Sequence, residues 1–366
     1  MGLPATISVK INLSGGASFG NPFILGTSQL GFAELQSSVP VIVDVSTSTL
    51  NISTRRGRNL LQDNYESGTA TIKIVDPNGD FNPQNTASPY YGLLQPLRKI
   101  QASAIYNGVT YGLFGGYITE YRYTYPTGQE TGYCTFICYD AFRLMYNSNV
   151  TTVTGGTAGQ TTAQRVQSIL SMISWPAAFT SIGTGATTVQ ADPGTLRTVL
   201  EAIQTCEFTE QGAFYIDANG VATFKGRQFV YDAQAASPTV FNQTGTGINY
   251  AGITFALDDK TIVNKATVTR IGGTAQSYSD AASIAAYFTR SITASDMLMQ
   301  TDANALSLAT AYVTSKKDTS IRIETITLDL VTPNYSAGVT AGLSLDFFDT
   351  VDITNEQPGG STIQKK

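Results

Sequence analysis

The chain contains no histidine, and that absence bounds its chemistry. Ser-His-Asp and Cys-His catalysis, His-ligated zinc and the usual proton shuttle near neutral pH all fall with it. Its cysteines, Cys134, Cys138 and Cys206, are one too few for a four-Cys zinc site. Cys134 and Cys138 lie in YCTFICY, which reads as a strand. Positions i and i+4 of a strand share a face but stand roughly 13 Å apart at ~3.3 Å per residue, beyond disulfide reach. All three thiols are expected to be small buried hydrophobes, for which a reducing compartment suffices. What survives is carboxylate, lysine or tyrosine chemistry, or none.

Four groups of residues compete for such a role. DPNGDF sets Asp76, Asn78 and Asp80 at alternate positions, like the first half of a calcium loop. Ala87 stands where the bidentate Glu of such a loop belongs, and a turn in which Asp and Asn bond their own backbone accounts for the same residues. STRRGRN gathers Arg55, Arg56 and Arg58 in a charge-poor chain. The planar guanidinium suits bidentate pairing with carboxylates, so these three are read as an ion-paired anchor between domains or subunits rather than a phosphate site. Asp258-Asp259 are adjacent, so on a strand they point to opposite faces; Asp346 and Asp349 form a carboxylate pair only if the fold makes them one. The clusters GGTAG and TGTGIN lack both the P-loop lysine and a strand-to-helix GxGxxG context. No catalytic residue, cofactor or metal is expected, with Asp76, Asn78 and Asp80 the one metal candidate.

The elements that must position these groups are mainly strands. Residues 1–150 read as all-β: TIKIV, IQASAIY, YITEYRY and YCTFICY are short, β-branched or aromatic, and separated by turn chemistry. A long loop with four prolines, DPNGDFNPQNTASPYYGLLQP, divides the first two and carries Tyr90 and Tyr91, which are interface candidates. Residues 151–235 read as a small α+β unit. Val166, Ile169, Leu170 and Ile173 define one helical face, with Thr161 and Gln164 at capping-box spacing. A second helix is expected after Asp192-Pro193, burying Leu196, Val199, Leu200 and Ile203. AFYIDANGVATFKGR then reads as a hairpin turning at Asn219-Gly220. Trp175 is expected as a core anchor.

Residues 236–366 return to β with one helix, capped by Asp302, carrying Leu306, Ala309 and Val313 on one face and ending at Lys316 and Lys317. In IRIETITLDLV the apolar phase slips at Glu324-Thr325, which predicts a β-bulge. SLDFFDTVDIT (344–354) reads as a closing strand, with no strand signal after it. The chain is 366 residues long with 13% charged residues, a formal net charge of -5, 34 Gly, 19 Tyr and 17 Phe. That length predicts two or three domains, and the acidic balance argues against a general nucleic-acid binder. No stretch is long and apolar enough to span a membrane, and the N-terminus lacks the pattern of a secretory signal.

Read together, VDVSTSTLNISTRRGRN, ESGTATIKIVDPNGDF, the SPYY loop, YNGVTYGLFGGYITEY, DAFRLMYN, AFYIDANGVATFKGR and NKATVTRIGGTA resemble the siphophage minor tail or baseplate hub proteins. The likeness runs over roughly residues 35–355; residues 1–34 have no counterpart. It implies a mainly β fold with a small α+β insertion, carrying two tail-tube-like β-barrel domains of baseplate-hub type. Three copies would cap the tail tube, meeting the distal tail protein ring, the tape-measure protein and a central tip or fibre. DNA would pass through the lumen without specific binding. The resemblance carries no catalytic residues. Hub-like relatives continue with further strands, so a C-terminal part is expected to be absent or encoded separately. The alternatives are a host-surface carbohydrate-binding tail protein and a tail-associated peptidoglycan hydrolase.

Overall fold

Alternation of apolar with small or polar residues along 64–75 and 133–139 builds two inner strands of the largest sheet. A computed structural model describes residues 4–13, 41–59, 64–128, 131–233, 238–243, 246–328, 335–356 and 362–365. The first seven strands are β1 (Thr6–Asn12), β2 (Ile42–Asp44), β3 (Thr49–Asn59), β4 (Asn64–Val75), β5 (Arg98–Tyr106), β6 (Val109–Thr124) and β7 (Tyr133–Tyr139). They pair antiparallel in the order β2-β1-β5-β6-β7-β4-β3. On β4, Ala70, Ile72 and Ile74 are buried; on β7, Cys134, Phe136 and Cys138 are, as the period of two requires. Val9, Ile11, Ile100, Phe114 and Ile118 complete this core, and the 76–97 loop folds over it through Phe81 and Leu94. The sheet ends in two different strands, and among the described residues no sheet closes on itself. The mostly β expectation therefore holds without a closed barrel.

A helical layer packs against this sheet. It comprises α1 (Ala141–Tyr146), β8 (Asn149–Val150), α2 (Thr162–Met172), β9 (Thr180–Ile182), β10 (Arg197–Thr198), α3 (Val199–Glu210), β11 (Ala213–Ile216), β12 (Ala222–Lys225) and α4 (Arg227–Ala233). The capping box of Thr161 and Gln164 forms, and Val166, Ile169 and Leu170 are buried as expected. The second helix begins later than its sequence suggested, at Val199, with Thr198 and Glu201 as its own capping box. Asp192 is engaged elsewhere, pairing with Arg197 at 2.5 Å and accepting from the Val153 amide at 3.2 Å. Leu196 consequently lies outside the helix, 72% exposed. The Asn219-Gly220 hairpin forms between β11 and β12, in the register Ala213–Lys225 to Ile216–Ala222. Trp175 is buried, its indole donating to the Phe179 carbonyl at 3.0 Å.

The last third contains β13 (Thr239–Asn242), β14 (Gly252–Ala256), β15 (Lys265–Arg270), β16 (Gln276–Ser279), α5 (Ala281–Tyr287), β17 (Ser291–Met297), α6 (Asp302–Lys316), β18 (Arg322–Thr327), α7 (Tyr335–Ser344), β19 (Val351–Glu356) and β20 (Thr362–Lys365). They form three small sheets, β13-β19-β20, β14-β18 and β16-β15-β17. The bulge falls at Glu324: Thr254 pairs with Thr325 but Phe255 with Ile323. Several expectations are corrected. This part carries three helices, α5, α6 and α7, where one was expected. Thr301, not Asp302, caps α6, because Arg270 and Thr274 hold the Asp302 carboxylate. Leu306 is exposed, and Ala305, Leu308 and Tyr312 join Ala309 and Val313 on the buried face. The closing strand starts only at Val351, after α7 and a turn at 346–349, and a further strand, β20, pairs with it. Most of residues 1–34 and the first two residues of TGTGIN lie outside the described residues.

Candidate functional site

The three arginines occupy β3, an edge of the large sheet, and a bulge sets their directions. Arg55 pairs with Thr69 and Gly57 with Glu66, so Ser67 and Gly68 of β4 together face Arg56. A bulge re-aims the side chains around it. Arg55 points outwards, 81% exposed, 3.4 Å from Glu66. Arg56 turns inwards, 19% exposed, and grips Asp346 with both guanidinium ends at 3.0 and 3.3 Å. Its guanidinium also lies 5.2 Å from the centre of the Phe347 ring, and that of Arg58 5.7 Å from the Tyr65 ring.

Gly68, the first residue of the Gly-Thr-Ala segment, has a specific duty here. A Cβ at this position would stand 2.8 Å from Oδ2 of Asp140 and 3.2 Å from Cγ of Arg56. Without it, Asp140 accepts from the Gly68 amide at 2.5 Å, from Ser67 Oγ at 2.9 Å and from the Phe142 amide at 3.0 Å. One buried carboxylate thus locks the bulge and caps α1. Burial pushes its pKa up to about 6, against the opposing pull of those three donors and of Arg56.

Around Arg56 and Arg58, segments from all three parts of the chain converge. Tyr65, Tyr215 and Phe347 form a mutual triad with ring centroids 5.0–5.3 Å apart, and Phe348 and Phe229 extend it. Burial raises the Tyr215 phenol to about 12, with Asp346 adding to the effect. The hairpin that supplies Tyr215 is seated by glycines on β6. A Cβ on Gly115 would lie 2.4 Å from the carbonyl carbon of Asn219, so the Asn219-Gly220 turn lies directly on the LFGGYI segment. Such an arrangement can hold units together and present a face to a neighbour.

The remaining candidates resolve individually. Asp76 accepts from the amides of Asp80 at 2.7 Å and Phe81 at 3.1 Å, so both its oxygens serve the loop's own backbone. The Asn78 carbonyl is bound by the Asn85 side chain, and Asp80 stands half-buried beside them. Among the described residues no group of three or more His, Cys, Asp or Glu is placed to hold a metal. Asp349 accepts from the Asp346 amide at 2.8 Å within one turn, and Asp346 is committed to Arg56, so these carboxylates do not face each other across a cleft. Tyr91 is 54% exposed, whereas Tyr90 packs inwards on Phe81. All three cysteines are buried. The sequence alone does not point to Asp140, to the seating of Asn219 on Gly115, or to Phe347-Phe348, which lie in a turn rather than the expected strand. Their signal is spacing between distant segments, which one sequence does not display.

No protein-family model matches this sequence, and no curated protein does. Solved structures do. The tail protein from Neisseria meningitidis MC58 has TM-score 0.51 and 11% identity, covering 86% of this chain and 88% of that one. The 43 kDa tail protein of prophage MuSo2 from Shewanella oneidensis has TM-score 0.49 and 13% identity, covering 85% of this chain and 91% of that one. The prophage tail protein gp18 from Listeria monocytogenes EGD-e has TM-score 0.40 and 10% identity, covering 85% and 80%. The Neisseria likeness is one of fold. No helix among the described residues is long and apolar enough to cross a membrane.

Proposed function

We propose that this chain is a structural, non-enzymatic virion protein of a long-tailed bacteriophage, the hub at the tail tip that caps the tail tube. The observation that carries the reading is the near full-length correspondence of fold with a tail protein, over 86% of this chain. The Arg-Gly-Arg and Gly-Thr-Ala segments support it, because their roles here are mechanical. They lock a bulge and tie the large sheet to the C-terminal turn. In this reading residues 1–150 and 236–366 are two tube-like β domains, and 151–235 is a small α+β domain wedged between them. Three chains then present six β domains to a sixfold tube, as a homotrimer. Its neighbours are the distal tail ring, the tape-measure protein and a central tip or fibre. The chain acts in the virion tail and is assembled in the host cytoplasm. β3, an edge strand of 11 residues, supports a place in a ring, since closed rings cover edges that would otherwise aggregate.

The test is symmetry averaging of the intact tail about its axis, with this chain located in the map. Three copies at the tip are expected. Six equivalent copies would make it a ring or tube protein, and one copy a fibre or tip.

A further inference from the structure

Among the described residues Phe288 is the most exposed large apolar side chain, at 86%. Its backbone has φ 60° and ψ 176°, a region that glycine occupies and other residues avoid. The conformation is held from beneath by Asn264, whose side chain is fully buried. The Asn264 amide nitrogen donates to the Phe288 carbonyl at 2.7 Å, and its oxygen accepts from the Arg290 amide at 2.8 Å. A buried polar side chain thus spends both ends on keeping one phenylalanine in water. Beside it, Ala281, Ala282, Ala285 and Ala286 of α5 are all exposed.

The complement lies on the same chain. A cavity of about 480 Å3 opens between the large sheet and the helical layer, its apolar wall formed by Leu97, Leu144, Ile173 and Trp175 and the rest of its lining polar, including Thr119 and Ser148. Arg143, exposed at this cavity, stacks on Tyr139 and has no carboxylate partner among the described residues. Around Phe288 the cations are already paired, exposed Arg290 with Asp259 and Lys317 with Asp280. Asp318 is exposed and forms no ion pair among the described residues. It sits between Lys317 and Thr319, which bond Ser283 and Tyr287 of α5. Phe288 does not line the cavity of its own chain.

We infer that Phe288 of one copy seats in the Leu97–Leu144–Ile173–Trp175 cavity of the next, with Asp318 facing Arg143. The inference rests on the ring reading above and names a contact within it. Knob and cavity are different patches of one chain, so the contact is heterologous, the kind that closes a ring when its rotation allows. A rigid aromatic anchor seated against the apolar wall of a pocket has the character of an interface hot spot.

Cysteine trapping tests this on the full chain, whose own thiols are buried. Phe288→Cys protein mixed with Asn147→Cys protein, the latter on the cavity wall, is expected to give a disulfide-linked dimer on oxidation. Phe288→Cys mixed with Leu50→Cys is the control and is expected not to. Phe288→Gly suits the backbone, so its Tm is expected at or above wild type while self-association weakens about tenfold or more. Cross-linking no better than the control, or Phe288→Gly associating like wild type, overturns the contact. So does burial of Phe288 only when another tail protein is added, since the occupant is then foreign. Three copies at the tail tip without the cross-link would leave the ring reading standing and remove this contact alone.

Discussion

Arg55 and Arg56 are neighbours on one strand, yet the bulge at Ser67-Gly68 sends them to opposite fates. Arg55 has a solvated partner, and exposed pairs contribute little. Arg56 has a bidentate carboxylate and an aromatic ring in a half-buried seam. Arg56→Ala is therefore expected to cost about 2 kcal/mol in urea denaturation, against less than about 0.5 kcal/mol for Arg55→Ala. Arg56→Lys should recover little, because an ammonium cannot hold both oxygens in the fork geometry. Asp140 yields a prediction in pH. Its folded pKa of about 6 lies above the unfolded value, so between the two the folded chain holds the extra proton. The group thus lowers stability at neutral pH, and that deficit disappears as pH falls through about 6 towards 4. Stability relative to Asp140→Asn is expected to shift in favour of the wild type between neutral pH and about pH 5; a pH-independent difference would contradict this.

At the scale of elements, the docking of the β11–β12 turn on β6 makes the sharpest prediction. Gly115→Ala drives a methyl into the Asn219 backbone and is expected to cost about 1–3 kcal/mol. Gly112→Ala meets mainly the Asn219 side chain, which can swing aside, so its effect on Tm should be smaller. Equal effects would mean that the turn does not rest there. Local patterns in the sequence were enough for the Thr161 capping box, the Asn219-Gly220 hairpin, the Glu324 bulge and the burial of the cysteines, since each depends on residues a few positions apart. Asp192 looked like a helix cap because Asp-Pro favours one, but its carboxylate has a better use on Arg197. Phe347 and Phe348 alternate poorly as a strand because they belong to a turn whose rings meet Tyr65 and Tyr215. Of the site, the three arginines stand out in the sequence by their rarity in a charge-poor chain. Asp346, the partner of Arg56 from 290 positions away, is not legible there.

For the whole molecule, the proposed hub sets a condition on the lumen. DNA must slide past it, and each phosphate-neutralising cation adds salt-dependent affinity. The channel surface is therefore expected to be neutral or acidic, with Arg55, Arg56 and Arg58 turned towards protein. A map of the tail with those three arginines lining the channel would overturn this. The pairing of β13 with β19 has a different consequence, for the order in which the chain matures on the ribosome. The large sheet has all its strands once Tyr139 has emerged, and it can close its core while synthesis continues. β13 cannot. Thr239 must wait for Val351, and at ~5–20 residues per second that delay is on the order of ten seconds. Throughout it, TVFN is a nascent strand without its neighbour, and the last third is where a slowed codon, a chaperone or a truncation would act.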